Sequence, residues 1–208
     1  MSEGGKALFY LWFAVAETAV MFVACFHGGV MRLILLQAPS GGGKTTACLR
    51  LAACAQNKHL RVGGVVTRPM WQLGHKTALW LHALPHGEAR LLAHPAAPAT
   101  ATWGMWRFVP ATFRWGRQQL QSLPRVDLLL VDEVGPLELV LRRGLTLDAI
   151  TAAFHRAQPR LAVVTVRPAL AEVLADHWHA FAPQRMAFDT DNRETQIQRL
   201  CWEITHAD

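Results

Sequence analysis

No two of the four cysteines, Cys25, Cys48, Cys54 and Cys201, stand in a Cys-x-x-Cys spacing. That absence argues against a thiolate zinc site, and four thiols in 208 residues fall far short of a disulfide scaffold. Reduced, mostly buried thiols are expected. Histidine adds little: His82 and His86 are four apart, but Pro85 and Gly87 place them in a turn. Two imidazoles without further ligands do not specify a metal. No internal repeat and no second domain divides the chain. Acidic side chains are the minority charge, 15 against 21 Lys and Arg, a formal balance of +6. Residues 1–30 hold one Lys and two Glu, so the remainder carries +7. A basic balance suits a protein that handles polyanions, and it does not choose between small phosphates and nucleic acid. The length suits one domain with a substantial core, and 51% hydrophobic residues exclude a disordered chain.

Residues 7–26 are almost wholly apolar, broken only by Glu17-Thr18. About twenty such residues can cross a bilayer. Glu17 at the centre would cost roughly 2.5–3.5 kcal/mol on insertion. A secretory leader is a second reading, with one Lys ahead of the apolar run. The third is that translation begins at Met31, immediately before the first strand. The expected organisation is therefore an apolar extension over 1–30, an upstream start artefact or else a membrane anchor, and one domain over 31–208. The expected location is the cytoplasm, with anchoring on the cytoplasmic side of a membrane as second choice.

What the chain does contain is concentrated in residues 31–46. A short apolar strand is followed by Ala38-Pro39-Ser40-Gly41-Gly42-Gly43-Lys44-Thr45-Thr46 and then a helix. Glycines there let backbone N–H groups turn inward around phosphate oxygens, with the positive end of the helix behind them. Lys44 would reach the β- and γ-phosphates, and the Thr45 hydroxyl would hold a magnesium ion. The usual loop opens on Gly, where this chain has Ala38.

Downstream, residues 44–56 read as a helix and 62–67 as a strand that Pro69 stops. Residues 77–84 and 89–93, around a Pro/Gly turn, read as a β-hairpin. Residues 94–102 have loop composition. Residues 103–117 interleave Trp103, Trp106, Phe108, Phe113 and Trp115 with Arg107, Arg114 and Arg117. This segment reads either as a base-stacking surface or as a lid whose aromatics pack inward. Thr112 is expected to cap a helix running to about residue 122. Residues 126–131 and 161–166 are continuous apolar strands of the parallel, doubly covered kind. Helices follow over 145–156, 169–178 and 193–206, the last capped near Asp191, with a short strand at 185–188. Strands alternating with helices predict an α/β fold, a mainly parallel sheet covered by helices on both faces.

Asp132-Glu133 follows the strand at 126–131 directly. Beside a phosphate loop, Asp132 would hold the magnesium, and Glu133 would deprotonate the water that attacks a γ-phosphate. Thr165 and Arg167, at the end of the next strand, are placed to sense that phosphate. Arg167 or Arg68 is a candidate source of positive charge for the transition state. Three functions stay open: a magnesium-dependent nucleoside-triphosphatase, a transferase such as a nucleotide kinase or corrinoid adenosyltransferase, and a nucleotide-gated module acting on RNA or at a membrane. A Glu beside the magnesium carboxylate favours water as nucleophile, hence hydrolysis.

Four stretches, residues 38–46, Gly63-Gly64-Val65-Val66-Thr67, 131–139 with Asp132-Glu133-Val134-Gly135-Pro136-Leu137-Glu138-Leu139, and Asp191-Asn192-Arg193, together resemble the THEP-type nucleoside-triphosphatase family. The resemblance runs from Met31 to the C-terminus. It implies a P-loop fold of RecA-like type that hydrolyses ATP, GTP and other triphosphates with magnesium. By that likeness Lys44 and Thr45 bind phosphate and metal, Asp132 binds metal and Glu133 is the base. The chain departs from the pattern at Ala38, at Arg68-Pro69-Met70-Trp71 and over 94–106, which touches substrate preference rather than nucleotide binding.

Overall fold

The computed structural model describes residues 31–85, 87–97, 99–101, 104–139, 144–189 and 191–206. The apolar run at 7–26, together with Trp103 and His86, lies outside them. Among the described residues no helix is long and apolar enough to cross a membrane.

Eight strands form one sheet: β1 (Arg32–Gln37), β2 (Val62–Gln72), β3 (His75–Leu84), β4 (Ala89–Pro95), β5 (Trp106–Phe108), β6 (Leu128–Val134), β7 (Leu161–Val166) and β8 (Gln184–Ala187). Their order is β5-β4-β3-β2-β6-β7-β1-β8. The five strands β2, β6, β7, β1 and β8 run parallel, and β3, β4 and β5 extend the sheet antiparallel. Among the described residues the α-helices are α1 (Lys44–Asn57), α2 (Pro110–Gln121), α3 (Pro136–Leu139), α4 (Leu147–Ala157), α5 (Pro168–His177) and α6 (Arg193–His206).

Alternation along the strands assigns the core to two faces. Leu33, Leu35, Leu129, Val131, Ala162 and Val164 pack with Leu120 of α2, Ile150 and Phe154 of α4 and Leu174 of α5. Ile34, Leu36, Leu128, Leu130 and Val163 pack with Cys48 and Leu51 of α1 and with Ile197 and Leu200 of α6. Burial on both sides explains why these strands read as unbroken apolar runs. Each fully buried Leu or Ile contributes about 1.5–3 kcal/mol relative to exposure. Gly64 marks the tightest point of the sheet. At φ +122° an added Cβ would lie 1.9 Å from the Leu130 carbonyl oxygen, so no side chain fits there.

The alternating α/β plan and the hairpin at 77–84 and 89–93 match expectation; Pro69 and Thr112 do not behave as expected. Pro69 does not end β2, which continues to Gln72 with Pro69 opposite Leu79 of β3. Pairing with β6 stops at Val65, so the outer part of β2 has one partner, and a missing N–H on the open side removes no ladder bond. Thr112 does not cap α2; Val109 takes that position, with Pro110 opening the helix, and the Thr112 hydroxyl donates to the Leu91 carbonyl at 2.6 Å. At the start of α6, near the expected Asp191, Asp189 accepts the turn's N–H groups, those of Asp191 and Asn192.

The aromatic segment packs largely inward. Trp115 is buried beneath Arg90, whose guanidinium carbon sits 4.8 Å from the ring centroid, and Phe108 stacks on Phe113 at 5.5 Å. His82 lies half-buried in β3, where burial and then the Arg68 charge lower its pKa.

Candidate active site

The loop between β1 and α1 is shaped by close approaches of its own atoms. The Gly42 N–H donates to the Pro39 carbonyl at 3.1 Å, and a Cβ on Gly42 would lie 2.9 Å from that of Ala38. The methyl of Ala38 therefore fits because residue 42 has none. Gly43 caps α1 at φ +87°, a left-handed conformation that glycine adopts freely. No side chain caps this helix and no acid sits in its first turn, so its positive end stays open to an anion. Lys44 folds back over the loop, its Nζ donating to the carbonyls of Ala38 at 2.8 Å and Pro39 at 2.9 Å. Burial lowers its pKa, opposed by the charges of Glu133 and Asp132.

The strand ends of β1, β2, β6 and β7 bring the remaining groups to the loop. The Thr45 hydroxyl donates to Asp132 Oδ2 at 2.5 Å, and the Thr67 N–H reaches the same oxygen at 3.3 Å. The Thr165 hydroxyl donates to Asp132 Oδ1 at 2.7 Å. Asp132 is 1% exposed, and burial raises its pKa to about 6 despite those hydrogen bonds. The β6–β7 register slips between Val131 and Val134, a bulge that re-aims the two carboxylates. Glu133 takes φ +67° there, a strained conformation costing about 1–3 kcal/mol that is often found at functional sites. Its N–H donates to the Thr165 hydroxyl at 2.7 Å, and its half-exposed carboxylate faces Arg167 at 3.7 Å.

A cleft of about 390 Å³ joins these parts. Ser40, Gly41, Lys44, Thr45 and Thr46 form one wall, and Asp132 and Glu133 close the end. The third wall is the β2–β3 hairpin, through Arg68, Trp71 and Lys76. The ammonium of Lys76 lies 5.2 Å from the Trp71 ring centroid.

The residues expected from sequence at 38–46, 132 and 133 thus meet in one place. Arg68 lies in the hairpin wall and Arg167 beside Glu133. Thr165 is completely buried, held between Asp132 and the Glu133 backbone rather than facing the cleft. Beside the expected residues, the cleft wall holds Lys76, which had no signal in the sequence, and Trp71, which stood only in the departing stretch 68–71. Arg193, from the stretch 191–193 that carried the resemblance, packs on the loop. Trp71 and Lys76 meet only through the hairpin register. The guanidinium and Cδ of Arg193, at the start of α6, pack 3.4–3.5 Å from the position a Gly43 Cβ would take.

Residues 33–200 match the family model described as NTPase. The chain belongs to the NTPase family. Among relatives, it is 29% identical over 136 residues to the nucleoside-triphosphatase THEP1 of Methanopyrus kandleri, covering 64% of this chain and 73% of that one. The solution structure of a human cancer-related nucleoside triphosphatase shares this NTPase's fold, with a TM-score of 0.65 at 17% identity over 85% of this chain and 99% of that one. The crystal structure of THEP1 from the hyperthermophile Aquifex aeolicus does so at a TM-score of 0.56 and 15% identity, covering 82% and 96%. The fold is of the P-loop NTPase kind, a mostly parallel sheet between helices.

Proposed function

We propose that the chain hydrolyses the γ-phosphate of nucleoside triphosphates to diphosphate and phosphate, dependent on Mg2+. One observation supports this most directly: a threonine from the phosphate loop and a buried aspartate from a distant strand share a 2.5 Å hydrogen bond in a cleft that Glu133 also lines. The donor set fits the metal, since a hydroxyl and a carboxylate are hard oxygen ligands. Thr45 and Asp132 would hold it. Such a metal would supply positive charge against the charge that develops on the phosphate oxygens.

The chain's own groups supply the rest. Loop N–H groups from Gly41 to Thr46 and the open start of α1 bind the phosphates, with Ala38, Pro39 and Ser40 shaping the turn. Lys44 exchanges its carbonyl partners for phosphate oxygens. Glu133 accepts the proton of the attacking water on a carboxylate oxygen that faces the cleft. Arg167 holds that carboxylate, and Arg68 adds positive charge at the hairpin wall. Residues 31–208 form the catalytic unit, and the cytoplasm, where magnesium triphosphates abound, suits it.

The test is phosphate release from ATP, GTP, CTP and UTP by the full chain, with and without Mg2+. Release that persists equally without divalent metal would remove the metal assignment. Release only on adding an acceptor would favour the transferase.

A further inference from the structure

A second cavity, of about 120 Å³, lies across Glu133 from the phosphate loop. Its wall is apolar, built from Leu79 and Leu81 of β3, Leu92 of β4, Phe108, Phe113 and Leu145. Thr67, Asp132, Glu133, Glu138 and Arg167 form its polar lining. Thr67, Asp132 and Glu133 line this cavity and the nucleotide cleft alike, so the two spaces meet at the carboxylates. A cavity meant only to admit water needs polar partners on several sides. This one offers mostly leucine and phenylalanine, with the carboxylates, Thr67 and Arg167 as its polar part. A comparable apolar cavity of about 150 Å³ in another protein stays dry and takes up benzene.

Three carboxylates border the space and differ in what they can still accept, and Asp132 already accepts at both oxygens, from Thr45 and Thr165. Both oxygens of Glu138 are engaged, Oε2 by the Gly135 N–H at 2.9 Å and Oε1 by the Leu145 N–H at 3.3 Å. Glu133 retains acceptor positions, because its contact with Arg167 at 3.7 Å is longer than a hydrogen bond.

We propose that this cavity binds an uncharged single-ring molecule carrying one hydroxyl, its ring against the leucines and phenylalanines and its hydroxyl donating to Glu133 at the mouth shared with the nucleotide cleft. A nucleobase does not suit it, since its several polar edges would be left unpaired against leucine. A charged ligand would lose hydration to the same wall. A hydroxyl on Glu133 would occupy the carboxylate proposed to take the water's proton, so binding is tested without nucleotide, where its failure is distinct from a failure of hydrolysis.

The probes are phenol and toluene, titrated into the nucleotide-free full chain and followed by saturation-transfer NMR. Saturable phenol binding is expected, with toluene about tenfold weaker for want of the hydroxyl contact. Glu133→Gln, which still presents an acceptor oxygen, retains phenol binding, whereas Glu133→Ala removes the preference for phenol over toluene. Leu137→Trp, which fills the space from α3, abolishes binding of both. Phe113→Ala, which enlarges it, admits 2-naphthol that the parent chain rejects, and this arm stands even if Leu137→Trp does not fold. No saturable phenol binding up to its solubility limit, or binding unaltered in a folded Leu137→Trp, overturns the proposal. Equal affinity for phenol and toluene overturns the contact with Glu133.

Discussion

The Thr165 hydroxyl couples the two carboxylates of the site: it donates to Asp132 Oδ1 at 2.7 Å and accepts from the Glu133 N–H at 2.7 Å. One buried oxygen on β7 therefore orients the proposed metal ligand through its side chain and the proposed base through its backbone. Glu133 can hold its strained φ because this bond and the bulge in β6 fix it from both sides.

Removing that oxygen leaves a buried carboxylate and a buried N–H each one partner short. Thr165→Val is expected to lower kcat by about 10–100-fold, the range seen for outer partners of metal ligands. Thr165→Ser should retain most of the activity. Steady-state phosphate release checks this, with the melting temperature showing that Thr165→Val is folded. A parent-like rate in Thr165→Val would mean the bulge alone positions Glu133.

Glu133→Gln keeps the shape of the side chain and loses its basicity. Phosphate release should fall by about 10²–10⁴-fold, the usual contribution of a positioned base. Triphosphate binding, read by equilibrium titration, should stay within a few-fold of the parent. Retention of full activity would move the base elsewhere.

Lys44→Ala withdraws the cation of the phosphate loop. The expected outcome is loss of measurable triphosphate binding in the same titration. The buried Ala38 carbonyl and the Pro39 carbonyl lose a donor, so the melting temperature is measured alongside to show that the variant is folded. Undiminished affinity would place the triphosphate in another cleft.

Arg193 packs on the loop at Gly43, its side chain 3.4–3.5 Å from where a Cβ there would lie. Arg193→Ala is expected to raise KM about tenfold with kcat nearly unchanged, a uniform loss of binding of about 1.4 kcal/mol. A fall in kcat at constant KM would instead place Arg193 at the reacting phosphate.

The buried Glu138 sets a pH dependence of stability. Burial raises its pKa to about 7, against hydrogen bonds from Gly135 and Leu145 that pull the other way. In the unfolded chain the carboxyl releases its proton near its ordinary value of 4.5. Between those limits the folded form binds more protons, so stability falls as pH rises through the window. Asp132, raised to about 6, adds to the same slope. Denaturant unfolding of the metal-free chain from pH 4.5 to 7.5 should show the decline, and Glu138→Gln should flatten part of it. Stability that rises over this range would contradict a buried, proton-holding Glu138.

The chemistry was legible because its signals are local. Gly41 to Thr45 form a loop whose spacing alone gathers backbone N–H groups and an ammonium at one turn. An apolar strand running into Asp132-Glu133 announces the carboxylates. The long apolar runs of β6 and β7 announce a sheet covered on both sides. Pro69 misled because a proline is tolerated where a strand has one neighbour, and strand order is not written in any window of sequence. Thr112 misled because a carbonyl on β4 competes for its hydroxyl. Thr165 was seen as a residue near phosphate, while its buried bonds to Asp132 and Glu133 depend on the register of two strands.

By itself, then, the sequence determined which groups this NTPase carries and that they suit phosphate and a hard cation. The tertiary structure alone decided their company: Trp71 and Lys76 walling the cleft, Arg193 lying over the glycine loop, and an apolar cavity opening behind Glu133. The division has a physical cause. Backbone conformation and side-chain chemistry act over a few residues, whereas a wall or a cavity arises only where segments far apart in the chain exclude water together.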